Sequence, residues 1–165
     1  TLKDANGKVL ADQKVVIKLN GKTYTKITNA KGQVTLKVTT LLPKTYTATV
    51  TYAGDDTHIK SSATAKVVVK KATLKVSAKA KTFKKSLKTK KYSIVLKNNV
   101  GKVMKKTKVT IKVKGKTYSA ITNSKGVATF KITKLTKKGK YNAYIKYTGN
   151  KYYNSLTKKV RITLK

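Results

Sequence analysis

Acid–base catalysis and metal binding mostly use the side chains of Asp, Glu, His and Cys. The chain contains only five such side chains. They are Asp4, Asp12, Asp55, Asp56 and His58. Asp55 and Asp56 provide too few carboxylates for calcium, which takes about six to eight oxygen ligands. His58 lacks the nucleophile and base partners that a catalytic role needs. The sequence therefore predicts that the chain is not an enzyme and binds no metal ion or other cofactor.

Lysine dominates the remaining chemistry. The 165 residues include 41 Lys and Arg against four Asp, a formal net charge of +37 at pH 7. Residues 1–71 contain 13 lysines and all four aspartates, whereas residues 72–165 contain 27 lysines, one arginine and no acid. Repulsion among positive charges at this density opposes the compact folded state, so we expect an anionic partner or environment. A need for solubility does not explain the absence of acids, because a surface of mixed charge would serve solubility as well.

Ten lysines of the second half are the candidate contacts to a polyanion. Some are predicted at outward strand positions, namely Lys112, Lys114, Lys131 and Lys146. Others crowd predicted turns, namely Lys105, Lys106, Lys137 and Lys138, and Lys116 and Lys140 complete the set.

The chain contains the same domain twice. NGKTYTKITNAKGQVTLKV, from Asn20, matches KGKTYSAITNSKGVATFKI, from Lys114, at an offset of 94 positions, and an extra residue near Gly139 shifts the offset to 95. Such a repeat indicates a tandem duplication, with domains at residues 1–71 and 72–165. The lead-in at residues 72–94 has no counterpart before Thr1. We therefore expect the first domain to lack its opening strand or strands and the chain to be a piece of a longer protein.

Apolar and polar residues alternate throughout both copies, which is the period of a half-buried strand. Asn-Gly and Lys-Gly pairs recur at strand-length intervals and are typical of tight turns. The pattern predicts an all-β protein built of β-sandwiches. The alternating apolar sets of the first copy are Val15-Ile17-Leu19, Val34-Leu36-Val38 and Tyr46-Ala48-Val50-Tyr52, and those of the second are Val109-Ile111-Val113, Ala128-Phe130-Ile132 and Tyr141-Ala143-Ile145-Tyr147.

Two motifs recur in both copies. Thr-Asn-x-x-Gly-x-x-Thr-Leu/Phe begins at Thr28 and Thr122, and Tyr-x-x-x-x-x-Tyr-x-Gly-Asp/Asn begins at Tyr46 and Tyr141. They resemble the bacterial-type immunoglobulin-like repeats of large cell-surface proteins. The richness in lysine and tyrosine resembles the adhesin-like proteins of methanogenic archaea, in which such repeats form stalks. The resemblance implies two tandem immunoglobulin-like antiparallel β-sandwiches in an extracellular protein of the cell surface or cell wall.

The first copy departs from the second at His58-Ile59-Lys60, where the second has Tyr153-Asn154-Ser155. We expect His58 to fill the structural position of Tyr153. Some surface adhesins carry an isopeptide cross-link between Lys and Asn, a reaction that needs a buried acid beside the lysine. Residues 72–165 contain no acid, so we predict no such link there.

These observations favour a structural and adhesive stalk module whose lysine-rich second domain binds an anionic cell-wall polymer or surface glycan by many weak contacts. A longer parent protein would also reach a host or partner cell. The alternatives are a nucleic-acid-binding basic protein and a spacer repeat without a ligand. Nucleic acid is disfavoured because Arg161 is the single arginine and no recognition helix is visible. No apolar run approaches the ~20 residues of a membrane span, and we expect a monomer.

Overall fold

The computed structural model describes residues 1–165, which divide into two units, Thr1–Lys70 and Lys71–Lys165. Strands joined by turns and loops make up both units, and neither contains a helix. The all-β class predicted from the sequence is confirmed. No helix long and apolar enough to cross a membrane is present.

Unit 1 (Thr1–Lys70) contains one antiparallel sheet of four strands. They are β1 (Lys14–Leu19), β2 (Lys22–Ile27), β3 (Thr45–Tyr52) and β4 (Ser61–Val68), in the spatial order β2-β1-β3-β4. The two-residue turn Asn20-Gly21 joins β1 to β2 with φ angles of 51° and 73°. Positive φ at both positions is what a tight hairpin of this length requires, and the hairpin predicted from Asn-Gly is confirmed.

Unit 2 (Lys71–Lys165) contains two sheets. Its strands are β5 (Lys75–Ser77), β6 (Lys81–Phe83), β7 (Lys90–Lys97), β8 (Lys108–Val113), β9 (Lys116–Ile121), β10 (Val127–Ile132), β11 (Gly139–Tyr147) and β12 (Leu156–Leu164). The sheets have the orders β10-β7-β5 and β6-β12-β11-β8-β9, and every pairing except that of β6 with β12 is antiparallel. This is an immunoglobulin-like sandwich. Unit 1 has counterparts of β8, β9, β11 and β12 but none of β5 and β6, and only its first three residues correspond to the end of β7.

Inward side chains from both sheets of unit 2 form one core. Nineteen buried apolar residues belong to it. Ile111 and Ile162 come from the five-stranded sheet and Phe130 from the three-stranded sheet, and all three are fully buried. Burial of a side chain of this size contributes about 1.5–3 kcal/mol. The two sheets are therefore held together by apolar burial from both sides.

The strand predicted at Val34, Leu36 and Val38 is wrong, because residues 33–40 form no strand. Their counterparts in unit 2 form β10, which pairs with β7 along its whole length. Unit 1 has no β7, so this segment lacks a hydrogen-bonding neighbour on that side. Leu36 and Val38 still pack against the sheet of unit 1, but they are only half-buried. The counterpart of Leu36, Phe130, is fully buried.

A tyrosine hydroxyl fastens the loop that precedes β3 and the loop that precedes β11. The hydroxyl of Tyr46 donates a hydrogen bond to the carbonyl oxygen of Leu42 at 2.8 Å. The hydroxyl of Tyr141 donates to the carbonyl oxygen of Lys137 at 2.6 Å. A tyrosine at this corner, bonded to the backbone a few residues upstream, is a hallmark of immunoglobulin-like sandwiches.

The repeated Thr-Asn-x-Lys-Gly turn depends on its asparagine and glycine. The side-chain oxygen of Asn123 accepts the backbone N–H groups of Lys125 and Val127 at 2.9 and 3.0 Å. Gly126 has a φ of 72°, and a Cβ atom there would lie 2.9 Å from both the carbonyl oxygen of Leu96 and the Cβ atom of Val103. A larger residue would therefore suffer backbone strain and a clash with the backbone of the strand beside it.

Gly126→Ala and Gly101→Ala separate these two penalties. Gly101 also has a positive φ, 87°, but nothing lies within 4 Å of where its Cβ would be. We expect Gly101→Ala to lower the free energy of unfolding of unit 2 by about 1–2 kcal/mol. Gly126→Ala adds a backbone clash, so its cost rises by about a further 1–3 kcal/mol. Urea unfolding followed by NMR signals of unit 2 measures both, and equal costs would contradict the predicted clash with Leu96 and Val103.

Candidate functional site

Two of the four aspartates of unit 1, Asp4 and Asp55, organise turns, and asparagines do the same at the equivalent positions of unit 2. Asp4 accepts hydrogen bonds from the backbone N–H groups two and four residues further on, at 3.0 and 2.9 Å. Asn98, its counterpart, accepts the equivalent pair at 3.2 and 2.8 Å. Asp55 and Asn150 likewise each accept the N–H groups two and three residues further on. Aspartate and asparagine offer the same acceptor oxygen, so the exchange removes charge and keeps the turn.

Asp55 has the most heavily hydrogen-bonded carboxylate in unit 1. Its oxygens accept the backbone N–H and hydroxyl of Thr57 and the hydroxyl of Tyr52, at 2.8–2.9 Å. Nδ1 of His58 lies 2.9 Å from Oδ1 of Asp55. The backbone N–H of Thr57, followed by its hydroxyl, holds the pKa of the Asp55 carboxyl well below its ordinary value. The carboxylate is thus engaged by its own loop rather than directed at a ligand.

His58 takes the backbone position that Tyr153 takes in unit 2. The N–H of Asp55 donates to the carbonyl oxygen of His58 at 2.9 Å, and Asn150 donates to Tyr153 at the same distance. The His58 side chain is half-buried in this loop. No group of three His, Cys, Asp or Glu side chains in the chain is placed to hold a metal ion. The turn geometry therefore accounts for the position of His58, which matches that of Tyr153 as predicted.

Six cations and one tyrosine point outward from the five-stranded sheet of unit 2. They lie on β8, β11 and β12, where they alternate with buried residues, and all are exposed. No carboxylate side chain lies in this unit, because residues 72–165 contain no Asp or Glu. We call this surface the basic face, and its residues are Lys108, Lys112, Lys140, Tyr144, Lys146, Lys159 and Arg161.

Tyr144 lies at the centre of the basic face. Its cross-strand partners are Lys112 on β8 and Lys159 on β12, and directly opposed residues have Cβ atoms about 4.5–5.5 Å apart. The Tyr144 side chain is 43% exposed. Lys146 is flanked by Thr110 on one side and by a threonine of β12 on the other. The cations of this face are therefore never directly opposed across neighbouring strands, which limits their mutual repulsion.

The same face of unit 1 has a different chemistry. Strand β3 presents a row of threonines there, and β4 presents small polar residues and one lysine. Three cations of the basic face have basic counterparts in unit 1, but three others and the tyrosine are replaced by threonine. Lys140, Tyr144, Lys146 and Lys159 occupy the positions of Thr45, Thr49, Thr51 and Thr64. The duplication thus provides a comparison of one surface with and without its central cations.

The ten lysines predicted from the sequence are all exposed, but they do not form one surface. Lys112, Lys140 and Lys146 lie on the basic face. Lys131 lies on β10, in the other sheet, directly opposite Lys91 of β7. Lys131 is separated from the other three lysines because its strand belongs to the other sheet. The alternation of residues along one strand does not show which sheet the strand joins.

The remaining candidates lie in turns or at strand ends. Lys114 was predicted at an outward strand position, and that prediction is wrong, because Lys114 occupies the β8–β9 turn with a φ of 46°. Its Nζ atom lies 6.0 Å from the centre of the Tyr141 ring. The others precede β8 (Lys105, Lys106), begin β9 (Lys116) or precede β11 (Lys137, Lys138).

Sequence reasoning missed four members of the basic face as site residues, namely Lys108, Lys159, Arg161 and Tyr144. The signal for two of them is present in β12, where Lys159 and Arg161 alternate with the buried residues Val160 and Ile162. Alternation of this kind predicts a shared outward face. It does not reveal that β12 lies beside β11, which is what places Lys159 next to Tyr144.

No protein-family model matches the chain, and no curated protein matches it. Solved structures do. The chain is similar to invasin, a bacterial integrin-binding protein, at 22% identity and a TM-score of 0.46, over all of this chain and 35% of that one. It is also similar to a 1.5-MDa bacterial ice-binding adhesin at 15% identity and a TM-score of 0.35, over 94% of this chain and 54% of that one. The chain thus spans about half or less of the length of these structures.

Asp55→Asn tests whether the hydrogen-bonded carboxylate makes unit 1 sensitive to acid. The pKa of Asp55 is lower in the folded state than the ordinary value of about 3.9. Its contribution to stability is therefore present above about pH 4 and is lost as the pH falls below it. We expect the unfolding temperature of unit 1, followed by NMR signals of β3, to fall between pH 5 and pH 2, and to fall less in Asp55→Asn. The matched control is Asp56→Asn, which should keep the wild-type profile. A wild-type profile in Asp55→Asn would contradict this assignment.

Proposed function

We propose that this chain is an adhesive module of a cell-surface protein and that its basic face binds an anionic cell-wall polymer. One observation carries the proposal. The five-stranded sheet of unit 2 presents six cations and an exposed tyrosine in an acid-free unit, whereas threonines replace the central ones in unit 1. The four strands of this sheet that unit 1 shares are kept between the copies, whereas three of the six cations of the face are not.

The spacing of the cations suits a repeating, extended ligand better than a small one. Neighbouring strands lie about 4.8 Å apart and successive residues about 3.3 Å apart. Lys112 and Lys159, on either side of β11, are thus separated by roughly two strand spacings. The face is an open sheet surface and not a cleft, so each contact is weak and affinity comes from their number. Binding of this kind weakens steeply with salt.

Nucleic acid is the second candidate, and Tyr144 is the observation that favours it. An exposed aromatic ring between two lysines is an arrangement on which a base can stack. The single arginine of the chain, Arg161, argues against duplex reading, which relies on bidentate arginine contacts to guanine. The third possibility is a spacer without a ligand, for which the basic face would be solvated surface.

The triple variant Lys140→Thr, Lys146→Thr, Lys159→Thr gives the basic face the residues of unit 1. Threonine is well suited to strands, so the fold should persist. We expect binding of the full chain to polygalacturonic acid to weaken at least about tenfold at about 0.1 M salt. The slope of log K against log salt should fall by about two to three, since three cationic contacts are lost. Fluorescence titration across a salt series measures both.

The matched control removes the same charge from the other sheet. Lys75, Lys91 and Lys131 are exposed residues of β5, β7 and β10, and their replacement by threonine should leave the slope near the wild-type value. Equal losses of affinity in both triple variants would contradict a specific role of the basic face, because binding would then depend only on the total charge. Absence of binding to polygalacturonic acid at physiological salt would overturn the proposal in favour of the spacer. Neutral dextran serves as the uncharged control and should not bind.

Tyr144→Thr separates stacking from charge. The side chain is exposed, so stability should change by no more than about 0.5 kcal/mol. If the ligand is an anionic polymer held by its charges, affinity for polygalacturonic acid should fall less than about threefold and the salt slope should be unchanged. A loss of about 1–3 kcal/mol in affinity for single-stranded DNA, together with tighter binding to DNA than to the uronic acid polymer, would instead favour the nucleic-acid function.

A further inference from the structure

Lys90 is a buried lysine without an anionic partner. It occupies the first inward position of β7, on the same face of the strand as Tyr92, and it is only 2% exposed. A buried charge is costly unless a counter-charge or hydrogen bonds compensate it. Residues 72–165 contain no Asp or Glu, and the single ion pair of the chain lies in unit 1. The protein itself therefore supplies no counter-charge for Lys90.

Hydrogen bonds do not compensate the charge of Lys90 either. Nζ of Lys81 and Nζ of Lys158 donate to backbone carbonyl oxygens at 3.2 and 3.1 Å, whereas Nζ of Lys90 makes no such bond. No side-chain nitrogen or oxygen atom that is enclosed in the protein lacks a hydrogen-bond partner. Nζ of Lys90 is therefore not sealed in the core, and the end of this buried side chain reaches an opening.

The opening is a pocket of about 400 Å³ at one end of the core of unit 2. Lys90 begins β7 directly opposite Ile132, the last residue of β10, so the loops that leave these two strands emerge side by side. Three lysines and three residues with hydroxyl groups line the space, and no acidic residue does. Besides Lys90, the lining residues are Lys85, Ser86, Leu87 and Lys88 of the β6–β7 loop and Thr133 and Thr136 of the β10–β11 loop.

The β10–β11 loop that carries the two threonines is anchored to the core. Leu135, between them, is 1% exposed and belongs to the core of unit 2. The backbone N–H of Lys134 donates to the hydroxyl oxygen of Tyr118 at 2.9 Å. The hydroxyl of Tyr141 holds the carbonyl oxygen of Lys137 at the other end of the loop. A ligand in the pocket therefore meets a wall that is already in place, and this lowers the ordering cost of binding.

We propose that this pocket, which we call the Lys90 pocket, binds a tetrahedral oxyanion, phosphate or sulfate, as the free ion or as the terminal group of a larger molecule. The anion provides the counter-charge that Lys90 lacks, and the attraction is strong because Lys90 is shielded from water. Lys85 and Lys88 add charge from the rim, and the hydroxyl groups donate to further oxygens.

A tetrahedral dianion suits this donor set better than a carboxylate does. A phosphate group carries nearly two negative charges at pH 7 and at least three acceptor oxygens, whereas a carboxylate has one charge and two oxygens. The volume of about 400 Å³ also far exceeds the ~30 Å³ share of one water molecule, so the pocket has room for the anion and its remaining water shell. No residue of the basic face lines the pocket. The inference therefore does not depend on what the basic face binds.

The test is titration of the full chain with inorganic phosphate at constant ionic strength, followed by the NMR signals of the backbone amides of residues 85–90 and 133–136. We expect these amides to shift together and to saturate with a dissociation constant of about 1 mM or tighter. Absence of saturable shifts at these amides up to about 20 mM phosphate would overturn the proposal.

Lys90→Met removes the buried charge and keeps an apolar stem, so unit 2 should remain folded. Its affinity for phosphate should fall at least about tenfold, because the shielded charge contributes most of the attraction. The matched control is Lys91→Met, at the exposed neighbouring position of β7, which should change the affinity less than about twofold because its charge is screened by solvent. Equal losses in the two variants would contradict a specific role of Lys90.

A second variant, Thr133→Val with Thr136→Val, keeps every lysine and tests the pocket even if Lys90→Met does not fold. Both threonines are exposed, so stability should change little. We expect the affinity for phosphate to fall at least about threefold, since two hydroxyl donors are lost. Unchanged affinity would contradict binding in this pocket.

Three further anions identify the ligand chemistry. Sulfate should shift the same amides, whereas acetate should bind at least about tenfold more weakly than phosphate, since it offers less charge and fewer oxygens. Acetate that binds as tightly as phosphate would overturn the assignment to a tetrahedral oxyanion. Glycerol 3-phosphate distinguishes the two sources of the ligand. Affinity equal to or higher than that of inorganic phosphate supports the terminal group of a larger molecule, and much weaker binding supports the free ion.

Discussion

The structure of each unit depends on whether the sheet that faces β8, β11 and β12, or their counterparts, has its central strand. In unit 2, β7 pairs with β10 on one side and β5 on the other and directs Tyr92, Ile94 and Leu96 into the core. Those contacts convert an alternating segment into a strand and give the five-stranded sheet a partner. In unit 1 the same kind of alternation is present at residues 33–38, but without β7 it remains an unpaired segment over a half-filled groove.

The two copies also show how charge is changed while local geometry is kept. Asp4 and Asp55 serve as side-chain acceptors in turns, and Asn98 and Asn150 make the same hydrogen bonds. Because the amide oxygen replaces a carboxylate oxygen, unit 2 loses negative charge at no cost to its turns. An acid-free unit is therefore compatible with the same fold. The net positive charge is then carried by strand positions and loops that the core does not use.

The arrangement of strands in the five-stranded sheet brings some of those positively charged side chains together on one surface. Alternation places Lys112, Tyr144 and Lys159 on the outward side of their strands, and strand order β12-β11-β8 sets them side by side. Neutral residues separate the cations across the strands, so the face has high charge density without directly opposed like charges. The other sheet lacks this arrangement, since Lys91 and Lys131 are directly opposed there. This difference is the physical reason for assigning the polymer to one sheet.

The sequence by itself determined the all-β class, the duplication and the hairpin at Asn20-Gly21. Each of these rests on local chemistry or on self-similarity, which is visible along the chain. It also identified exposed lysines, because alternation predicts which side chains face outward. Only the tertiary structure decided that residues 33–40 form no strand, that Lys131 lies on a different sheet from Lys112, and that Lys159 lies beside Tyr144. Those outcomes depend on which strands are neighbours in space. The alternation of apolar and polar residues within one segment does not show which distant segment it pairs with.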